Sequence, residues 1–382
     1  MRFDGTQVQN EIYVSGESPW PVGAGDWEAR AAEKLDTGPF GYIAGGAGAE
    51  STMRANREAF ERRRLRPRML GGHTERALSV DVLGTPSPFP FLLAPVGVLS
   101  IAHEDGELAP ARAAAAARVP FVLSTAASHS IEEIADAMGD APRWFQLYWV
   151  SDREVVESLV RRAEGARYSA IVVTLDTLVL GWRPRDLRNA YLPFREGEGI
   201  AQFTSDPVFR SRLPVDDDPL VAAGAMLAMF PNLALRWDDL AWLRELTSLP
   251  LLVKGVLTAE DAERALAAGV DGIVVSNHGG RQVDGAVASL DALVEVRAAL
   301  GRDAVVLVDG GIRSGADVVK AMALGADAVL VGRPYVYALA VGGEAGVGAL
   351  IEQLAAETDL TLALIGASSI TELDSTWIAA SS

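Results

Sequence analysis

The sequence predicts a (β/α)8 barrel, and three observations support this fold class. Short runs of Val, Ile and Leu recur along the chain without polar alternation, as strands buried on both faces of a parallel sheet require. Stretches rich in Ala, Glu and Arg with helical periodicity separate these runs. The strand–helix unit recurs eight times, at a spacing that suits a closed parallel barrel flanked by helices.

The predicted elements follow one another in order from residue 91. The strands are predicted at 91–95, 120–125, 144–148, 170–176, 251–255, 272–277, 304–310 and 328–333. The clearest helices between them are predicted at 106–118, 131–138, 153–164, 259–268, 290–300 and 315–323. One domain is therefore expected over residues 1–382, with the barrel at 91–340.

Three segments lie outside the repeat. Residues 1–90 form an N-terminal helical extension that includes the glycine-rich "GPFGYIAGGAGAE", which predicts a turn beside a helix, and residues 341–382 form a C-terminal helical segment. Residues 177–249 separate strands four and five, a connection long enough to suggest a function. Its stretch "VDDDPLVAAGAMLAMFPN" has an apolar helical face, which favours an ordered lid; the alternative is an extra packing helix without a gating role.

Composition excludes several classes of partner. The chain has 34 Lys+Arg against 51 Asp+Glu, a net charge of −17, which argues against nucleic acid and anionic membranes. It has no cysteine, so thiolate nucleophiles and Cys-ligated metals are excluded, and no histidines are spaced as metal ligands. A cytoplasmic location without a metal or a membrane span is expected, because no secretion signal and no continuous apolar run of about 20 residues is present.

Polar and glycine residues collect where the predicted strands end. In a (β/α)8 barrel these carboxyl ends form the active site. Each such residue has an ordinary structural explanation by itself, but their occurrence at all eight strand ends predicts a site. The residues are Pro95, Val96, Gly97, Ser124, Gln146, Tyr148, Thr174, Asp176, Lys254, Ser276, His278, Asp309, Gly310, Gly311, Gly332 and Arg333.

The last two strand ends predict a phosphate site. The sequences "DGGIRSGAD" and "VGRP" follow strands seven and eight, where barrels commonly bind phosphate through backbone N–H groups and a helix N-terminus, with Arg313 or Arg333 as the cation. Neither a Rossmann fingerprint nor a P-loop is present. FMN and a phosphorylated substrate both remain open, and Lys254 would suit the anionic edge of a reduced flavin.

A second group of residues predicts acid–base chemistry on an anionic substrate. His278 and Asp176 end strands six and four, and a carboxylate beside an imidazole selects its tautomer and stabilises its protonated form. That pair suits removal of a proton from a hydroxyl group. Arg281 and Arg183 could bind a carboxylate through paired hydrogen bonds.

The motif "SNHGGRQ" resembles the signature of the FMN-dependent 2-hydroxy-acid oxidases and dehydrogenases. The resemblance extends from "GPFGYIAGGAG" to "VDGGIRSGADVVKAMALGADAVLVGRP", nearly the whole chain. It implies a barrel fold, FMN as cofactor and oxidation at the α-carbon of a hydroxy acid. It implies His278 as the catalytic base with Asp176 as its partner, and Tyr148 as a hydrogen-bond partner of the substrate oxygen.

The same resemblance implies the remaining contacts. Tyr42, Arg183 and Arg281 match residues that bind the substrate carboxylate. The matches to the flavin ring are Pro95, Val96, Gly97, Ser124, Gln146, Thr174, Lys254 and Ser276. The matches to the ribityl chain and phosphate are Asp309, Gly310, Gly311, Arg313, Gly332 and Arg333.

Departures from the family pattern narrow the expected reaction. The family usually has Pro-Thr-Ala where this chain has Pro95-Val96-Gly97, and Gly97 is expected to leave space over the flavin for product and peroxide to meet. That glycine, with "LGWRPRDLRNAYLPF", "DPVF" and "WDDLAWLRE", resembles the lactate monooxygenase branch, which converts lactate to acetate, CO2 and water. Ala126 stands where short-chain oxidases often have an aromatic residue, which leaves the substrate's size open.

The alternative functions differ in the products, the electron acceptor or the substrate. An oxidase would release 2-keto acid and hydrogen peroxide, on lactate or on larger or aromatic acids such as mandelate. A quinone-linked dehydrogenase would usually bring a membrane segment. A flavin-binding scaffold without turnover would not need the His278–Asp176 pair, and a phosphate-substrate barrel would leave the carboxylate-binding arginines without a role. The expected partners are the hydroxy acid, O2 and further copies of the chain in a homotetramer or homo-octamer.

Overall fold

Eight parallel strands close into a barrel in the computed structural model, which describes residues 3–214 and 218–379. The barrel strands are β3 (Phe91–Leu93), β4 (Phe121–Ser124), β5 (Arg143–Tyr148), β6 (Ile171–Thr174), β7 (Leu251–Val256), β8 (Gly272–Val275), β9 (Val305–Asp309) and β10 (Ala328–Val331). They follow the chain in order around the barrel, and β10 closes it by pairing with β3. The predicted (β/α)8 fold is confirmed.

Helices follow the barrel strands and cover the outside of the barrel. Those of the repeat are α5 (Leu108–Ala117), α6 (Ile131–Met138), α7 (Arg153–Gly165), α13 (Ala259–Ala267), α14 (Ser289–Leu300), α15 (Gly315–Ala323) and α16 (Arg333–Ile365). Local capping explains several of their starts: Ser130 accepts a hydrogen bond from Glu133 N before α6, and Ser314 accepts one from Asp317 N before α15.

The described strands end earlier than the sequence predicts at several site residues. Strands β3, β6, β8 and β10 end two residues before the predicted ends, so Pro95, Asp176 and Asn277 lie in loops, and Arg333 begins α16. The backbone is the reason at two strands, since Asn277 after β8 has ψ 27°, and Gly310, where β9 stops one residue before its predicted end, has φ +90°, both outside the strand region. Pro95, Asp176 and His278 therefore lie in loops at the mouth, whereas other site residues remain within their strands: Ser124, Gln146, Tyr148, Thr174, Lys254 and Asp309.

The N-terminal extension contains helices, as the sequence predicts, and a hairpin that the sequence does not predict. The helices are α1 (Gly5–Ser15), α2 (Ala24–Lys34), α3 (Thr37–Ala44) and α4 (Ser51–Arg62). The hairpin, β1 (Val80–Val82) and β2 (Thr85–Ser87), turns at Leu83 and Gly84, which both have positive φ, as a tight two-residue turn requires. Its Thr85 accepts a hydrogen bond from the Trp144 indole at 2.9 Å, at the beginning of β5.

The long connection after β6 is folded onto the barrel. It contains α8 (Pro184–Arg188), α9 (Ala201–Thr204), α10 (Pro207–Arg210), α11 (Pro219–Met229) and α12 (Asp239–Leu246). Asp206 Oδ2 accepts hydrogen bonds from Ser158 at 2.6 Å and from Arg162 at 3.2 Å, both on α7. Residues 215–217 of this insertion, like 1–2 of the extension and 380–382 of the C-terminal segment, lie outside the described residues.

The last helix, α16, is long and apolar enough to span a membrane by length and composition, but 67% of its most apolar window is buried in the protein. It packs on α1, α2, α5 and α15. Its backbone breaks at Gly342 and Gly343, where the dihedral angles leave the helical region. These contacts are those of a core helix.

Candidate active site

The His278 imidazole and the Asp176 carboxylate meet at the mouth of the barrel. His278 Nδ1 lies 2.8 Å from Asp176 Oδ1, and because a carboxylate only accepts, Nδ1 carries the proton. His278 Nε2 is then the free acceptor of the ring. Burial lowers the pKa of His278 from its usual 6.5, against the opposing effect of Asp176, so the ring is neutral at pH 7.

The loop after β8 holds His278 in an unusual conformation. His278, Gly279 and Gly280 all have positive φ. A Cβ on Gly279 would lie 2.9 Å from Arg333 Nη1, and one on Gly280 would lie 2.7 Å from Met53 N. The two glycines are needed because Arg333 and helix α4 approach the backbone closely. His278 N donates to Ser276 Oγ at 3.0 Å, which supports the turn.

A buried lysine lies between two carboxylates on the inner side of this pair. Lys254 Nζ lies 3.6 Å from Asp176 Oδ2 and 3.3 Å from Asp309 Oδ2, and it donates to Ser276 Oγ at 2.9 Å. Burial opposes ionisation of Asp176, but Lys254 and His278 outweigh it and hold its pKa well below the usual range. Burial likewise opposes the charge of Lys254, yet the two carboxylates raise its pKa. Asp176 and Lys254 are therefore both charged at neutral pH.

Two guanidinium groups converge on one tyrosine beside His278. Arg281 Cζ lies 4.9 Å and Arg183 Cζ 6.0 Å from the centre of the Tyr42 ring. Arg281 donates to Tyr42 O at 2.6 Å and to Gly45 O at 3.0 Å, and Arg183 donates to Arg281 O at 3.0 Å. Burial and the neighbouring Arg183 lower the pKa of Arg281 to about 10. Two buried cations this close favour an anionic ligand.

A second cationic region lies at the ends of β9 and β10. Arg333 donates to Ile43 O, Gly279 O and Gly45 O, which ties three segments together at the start of α16. Burial and the charge of Arg281 lower the pKa of Arg333 to about 9. Burial also lowers the pKa of Arg313, whose guanidinium donates to Ile312 O at 2.9 Å. This region can bind a phosphate, as a helix N-terminus with two cations does.

The two regions share one cavity of about 1150 Å³, counting its open mouth. Most of the residues predicted from the sequence line it: Tyr42, Pro95, Val96, Gly97, Tyr148, Arg183, Lys254, His278, Arg281, Asp309, Gly310, Gly311, Arg313, Gly332 and Arg333. One cavity therefore connects the two guanidinium groups at Tyr42 with the cationic region at the ends of β9 and β10.

The other predicted residues lie behind the cavity wall. Ser124 Oγ donates to Gln146 Oε1 at 3.0 Å, and Gln146 Nε2 donates to Thr174 Oγ1 at 2.9 Å, so these side chains bond to one another across three strands. Ser276 is fully buried, and its hydroxyl binds Lys254 and His278 N. Asp176 acts on the cavity through His278.

Gly97 has a different role from the expected one. It lines the cavity, but a Cβ at this position would lie 2.5 Å from Ala126 O and 2.7 Å from Ala126 Cβ. The expectation that the missing methyl group opens space over the cofactor is therefore wrong, because that methyl group would point at the loop after β4. The glycine instead allows the loop after β3 to approach Ala126.

Several contributors to the site were missed in the sequence. Thr177 Oγ1 donates to Asp176 Oδ1 at 2.8 Å and lies 3.1 Å from His278 Nδ1. Asn56 of α4 exchanges two 2.8 Å hydrogen bonds with Asn277, which anchors the loop that carries His278. Phe194 and Phe230 of the insertion line the cavity. Of these residues, only Thr177 could have been found from the sequence, because it directly follows Asp176.

The donor set fits FMN. Arg313, Arg333 and Lys254 line the cavity, where the two arginines could bind the phosphate and Lys254 could bind the anionic edge of the flavin ring. Asp309 Oδ1 is buried without a hydrogen-bond partner among the described residues, so it can accept from a hydroxyl group of a ribityl chain. No group of His, Cys, Asp and Glu side chains in the described part of the chain could hold a metal ion.

Comparisons with known proteins agree with this fit. Residues 31–380 match the family described as FMN-dependent dehydrogenase. The chain is 42% identical over 357 residues to an L-lactate oxidase of Lysinibacillus sphaericus (strain C3-41), covering 94% of this chain and 92% of that protein. It is 45% identical over 350 residues to a 4-hydroxymandelate oxidase of Amycolatopsis orientalis, covering 91% and 96%.

A solved structure is similar over the same length. The crystal structure of a mandelate oxidase matches with a TM-score of 0.82 and 43% identity, covering 92% of this chain and 96% of that one. The family match together with these relatives indicates that the cofactor is FMN. The chain therefore belongs to the FMN-dependent dehydrogenase family.

Proposed function

We propose that this protein oxidises an L-2-hydroxy acid at its α-carbon with O2 as electron acceptor, and that it retains the 2-keto acid for decarboxylation. With lactate the products would be acetate, CO2 and water. The observation that carries the first part is that His278, which is bonded to Asp176, lines the same cavity as Arg183 and Arg281. The cavity thus combines a neutral base with a site for a carboxylate.

The residues of the chain divide the work of the oxidation. Arg183 and Arg281 bind the substrate carboxylate beside Tyr42, which orients the α-hydroxyl group toward His278. His278 Nε2 accepts the hydroxyl proton, because Nδ1 is committed to Asp176. Asp176 remains ionised and stabilises the imidazolium that forms. FMN, held by Lys254, Arg313 and Arg333, would supply the acceptor for the two electrons of the oxidation, and O2 would be reduced to hydrogen peroxide with these electrons and the two protons that the hydroxy acid loses.

The fate of the keto acid depends on the insertion. Pyruvate and hydrogen peroxide combine to acetate, CO2 and water if both remain in the cavity, and they escape separately if it opens first. Leu180, Phe194 and Phe230 of the insertion line the cavity, and the Phe230 ring packs 5.0 Å from the Tyr148 ring. This apolar cover supports retention and therefore the monooxygenase outcome.

The test separates the two halves of the proposal. Anaerobic mixing of the holoenzyme with L-lactate should bleach the flavin absorbance, and turnover in air should yield acetate with little peroxide. Absence of bleaching with every hydroxy acid tried would refute the oxidation. Pyruvate and peroxide in equal amounts, with acetate absent when catalase is added, would refute retention only.

A second candidate is an oxidase for larger hydroxy acids. Ala126 lines the cavity with a small side chain, and relatives with 43–45% identity are named mandelate oxidase and 4-hydroxymandelate oxidase. Reduction rates with glycolate, L-lactate and (S)-mandelate distinguish the candidates. A large preference for mandelate, with release of keto acid and peroxide, would favour this one.

We also propose a cytoplasmic homotetramer or homo-octamer. Trp182 is 74% and Val283 63% exposed in the single chain, on loops that touch near Gly181 and Gln282, and subunit contact would cover these apolar side chains. Light scattering of the purified holoenzyme tests the assembly, and a monomer would refute it. Fractionation of cells that express the protein tests the location.

A further inference from the structure

We propose that Gly199 is a positioning residue for residues 198–202, here called the seam. Because Gly199 has no side chain, the seam can pack on the loops after β3 and β4. The packed seam then holds Phe194 as a fixed wall of the substrate cavity. The inference rests on the proposed function, since a fixed wall is what would retain the keto acid. A part of the insertion that is far from His278 in sequence would thus have a role in product retention.

The space at Gly199 admits no side chain. Its φ is +73°, and a Cβ there would overlap Val98 Cγ1 and lie 2.8 Å from Ala126 O and 3.0 Å from Phe194 Cε1. The Ala126 carbonyl is backbone and Val98 is 1% exposed, so neither can move aside cheaply. A larger residue at position 199 would therefore push the seam away from the barrel.

Three chain segments converge on the Ala126 carbonyl. Val98 N donates to Ala126 O at 2.8 Å, and the missing Cβ atoms of both Gly97 and Gly199 would contact the same oxygen. The loop after β3, the loop after β4 and the insertion therefore meet at one point. The two glycines make this junction, and Ala126, Val98 and Gly97 also line the cavity.

Hydrogen bonds hold the seam in place beside this junction. Ser128 Oγ accepts from Gly199 N at 3.1 Å and lies 2.6 Å from Ser100 Oγ, which also bonds to the Glu198 carboxylate. Ala201 N donates to Ala127 O at 3.0 Å. These bonds connect the seam to the loops after both strands.

The Gln202 side chain anchors the C-terminal end of the seam. Gln202 is fully buried, donates to His129 O at 2.7 Å and accepts from Ile131 N at 2.8 Å, at the start of α6. Phe194, which is 6% exposed, packs against this anchored segment and faces the cavity. The wall that Phe194 forms is therefore as rigid as the contact between the seam and the barrel.

The test compares two glycines of the insertion. Gly199→Ala introduces the clash, whereas Gly197→Ala introduces the same left-handed strain, at φ +85°, with Pro219 Cβ at 3.5 Å as its nearest neighbour. Hydrogen–deuterium exchange of residues 194–202 in the holoenzyme and the dissociation constant for pyruvate are measured for both variants. Gly199→Ala should exchange faster over this segment and bind pyruvate about tenfold more weakly, as expected for overpacking, while Gly197→Ala stays within about twofold.

The outcomes separate this inference from the proposed function. Equal exchange in the two variants would overturn the role of Gly199, whatever products the wild-type enzyme forms. Wild-type release of pyruvate and peroxide would refute retention but leave the exchange comparison decisive. If Gly199→Ala does not fold, Ser128→Ala removes a seam hydrogen bond without added volume, and unchanged exchange in that variant would equally overturn the inference.

Discussion

At the scale of single residues, the site depends on buried charged side chains, which are stable only because oppositely charged groups lie beside them. Lys254 is buried between Asp176 and Asp309, and this compensation keeps Asp176 ionised next to His278. The ionised Asp176 in turn determines which nitrogen of His278 is free, since Nδ1 donates to it. The base is thus prepared by contacts that run from Asp309 and Lys254 through Asp176 to His278.

Removal of the base gives the first prediction. His278→Ala should retain FMN, because the phosphate-binding arginines are unchanged, but reduction by L-lactate should slow by about 10²–10⁴-fold. Anaerobic stopped-flow absorbance measures the reduction, with His73→Ala, an exposed histidine outside the cavity, as the control. A normal rate of bleaching in His278→Ala would rule out the assignment.

The direction of the His278 pKa shift gives the second prediction. The active form is the neutral ring, so kcat/KM should be at its plateau above the lowered pKa and fall as pH falls through it. The midpoint of this acidic limb should therefore lie below 6.5, the usual value for histidine. In Asp176→Asn it should move lower still, because Asp176 raises the His278 pKa. A wild-type midpoint above 6.5 would contradict this account.

At the scale of elements, the insertion and the loops after β3 and β4 form one packed unit over the cavity. Their contact explains why Pro95-Val96-Gly97 ends in glycine: the chain passes too close to Ala126 for a methyl group. Helix α4 has a comparable role on the other side, where Asn56 holds Asn277. Secondary-structure elements outside the barrel therefore decide the shape of its mouth.

The third prediction concerns Gly97. Gly97→Ala should displace the loop after β3 from Ala126 and with it the contact to the insertion, so products should shift from acetate toward pyruvate and peroxide. Product analysis in air measures the ratio, with Gly224→Ala as the control, because a Cβ on that insertion glycine would have no neighbour within 4 Å. An unaltered ratio in Gly97→Ala would mean that this junction does not govern retention.

At the scale of the whole molecule, α16 connects the barrel to the N-terminal extension. It begins at Arg333 in the site and ends at Ile365, and its break at Gly342 and Gly343 lets it pack on α1, α2 and α5. Trp20 lies directly against Gly342, where a Cβ would overlap its ring, and stacks on Trp27 with 6.1 Å between ring centroids. The break is thus a packing requirement of the extension.

The fourth prediction tests that requirement. Gly342→Ala should lower the free energy of unfolding by about 1–3 kcal/mol through overpacking against Trp20. Gly348→Ala, in the same helix and with open space around its Cβ, should be neutral or stabilising by up to about 1 kcal/mol. Thermal and denaturant unfolding measure both, and equal stability of the two variants would show that the break does not depend on Trp20.

Some residues of the fold and of the site could be predicted from the sequence, and others could not. Continuous apolar runs predicted the eight strands, and the polar residues behind them predicted the site, because strand ends in such barrels meet at one mouth. Asn56, Phe194 and Gly199 do not follow a predicted strand. They lie in the extension and the insertion, and no local sequence pattern describes how these segments pack.

The sequence alone determined the fold class, and it predicted a phosphate region, a base and two carboxylate-binding arginines. The fold class follows from periodicity, and the predicted site follows from residue types at the strand ends together with the resemblance to the FMN-dependent 2-hydroxy-acid oxidases. Only the tertiary structure decided that His278 is neutral, that Lys254 is compensated by two carboxylates, and that Gly97 faces Ala126 rather than the cofactor. Those properties depend on burial and on distances between segments far apart in sequence, and folding alone sets them.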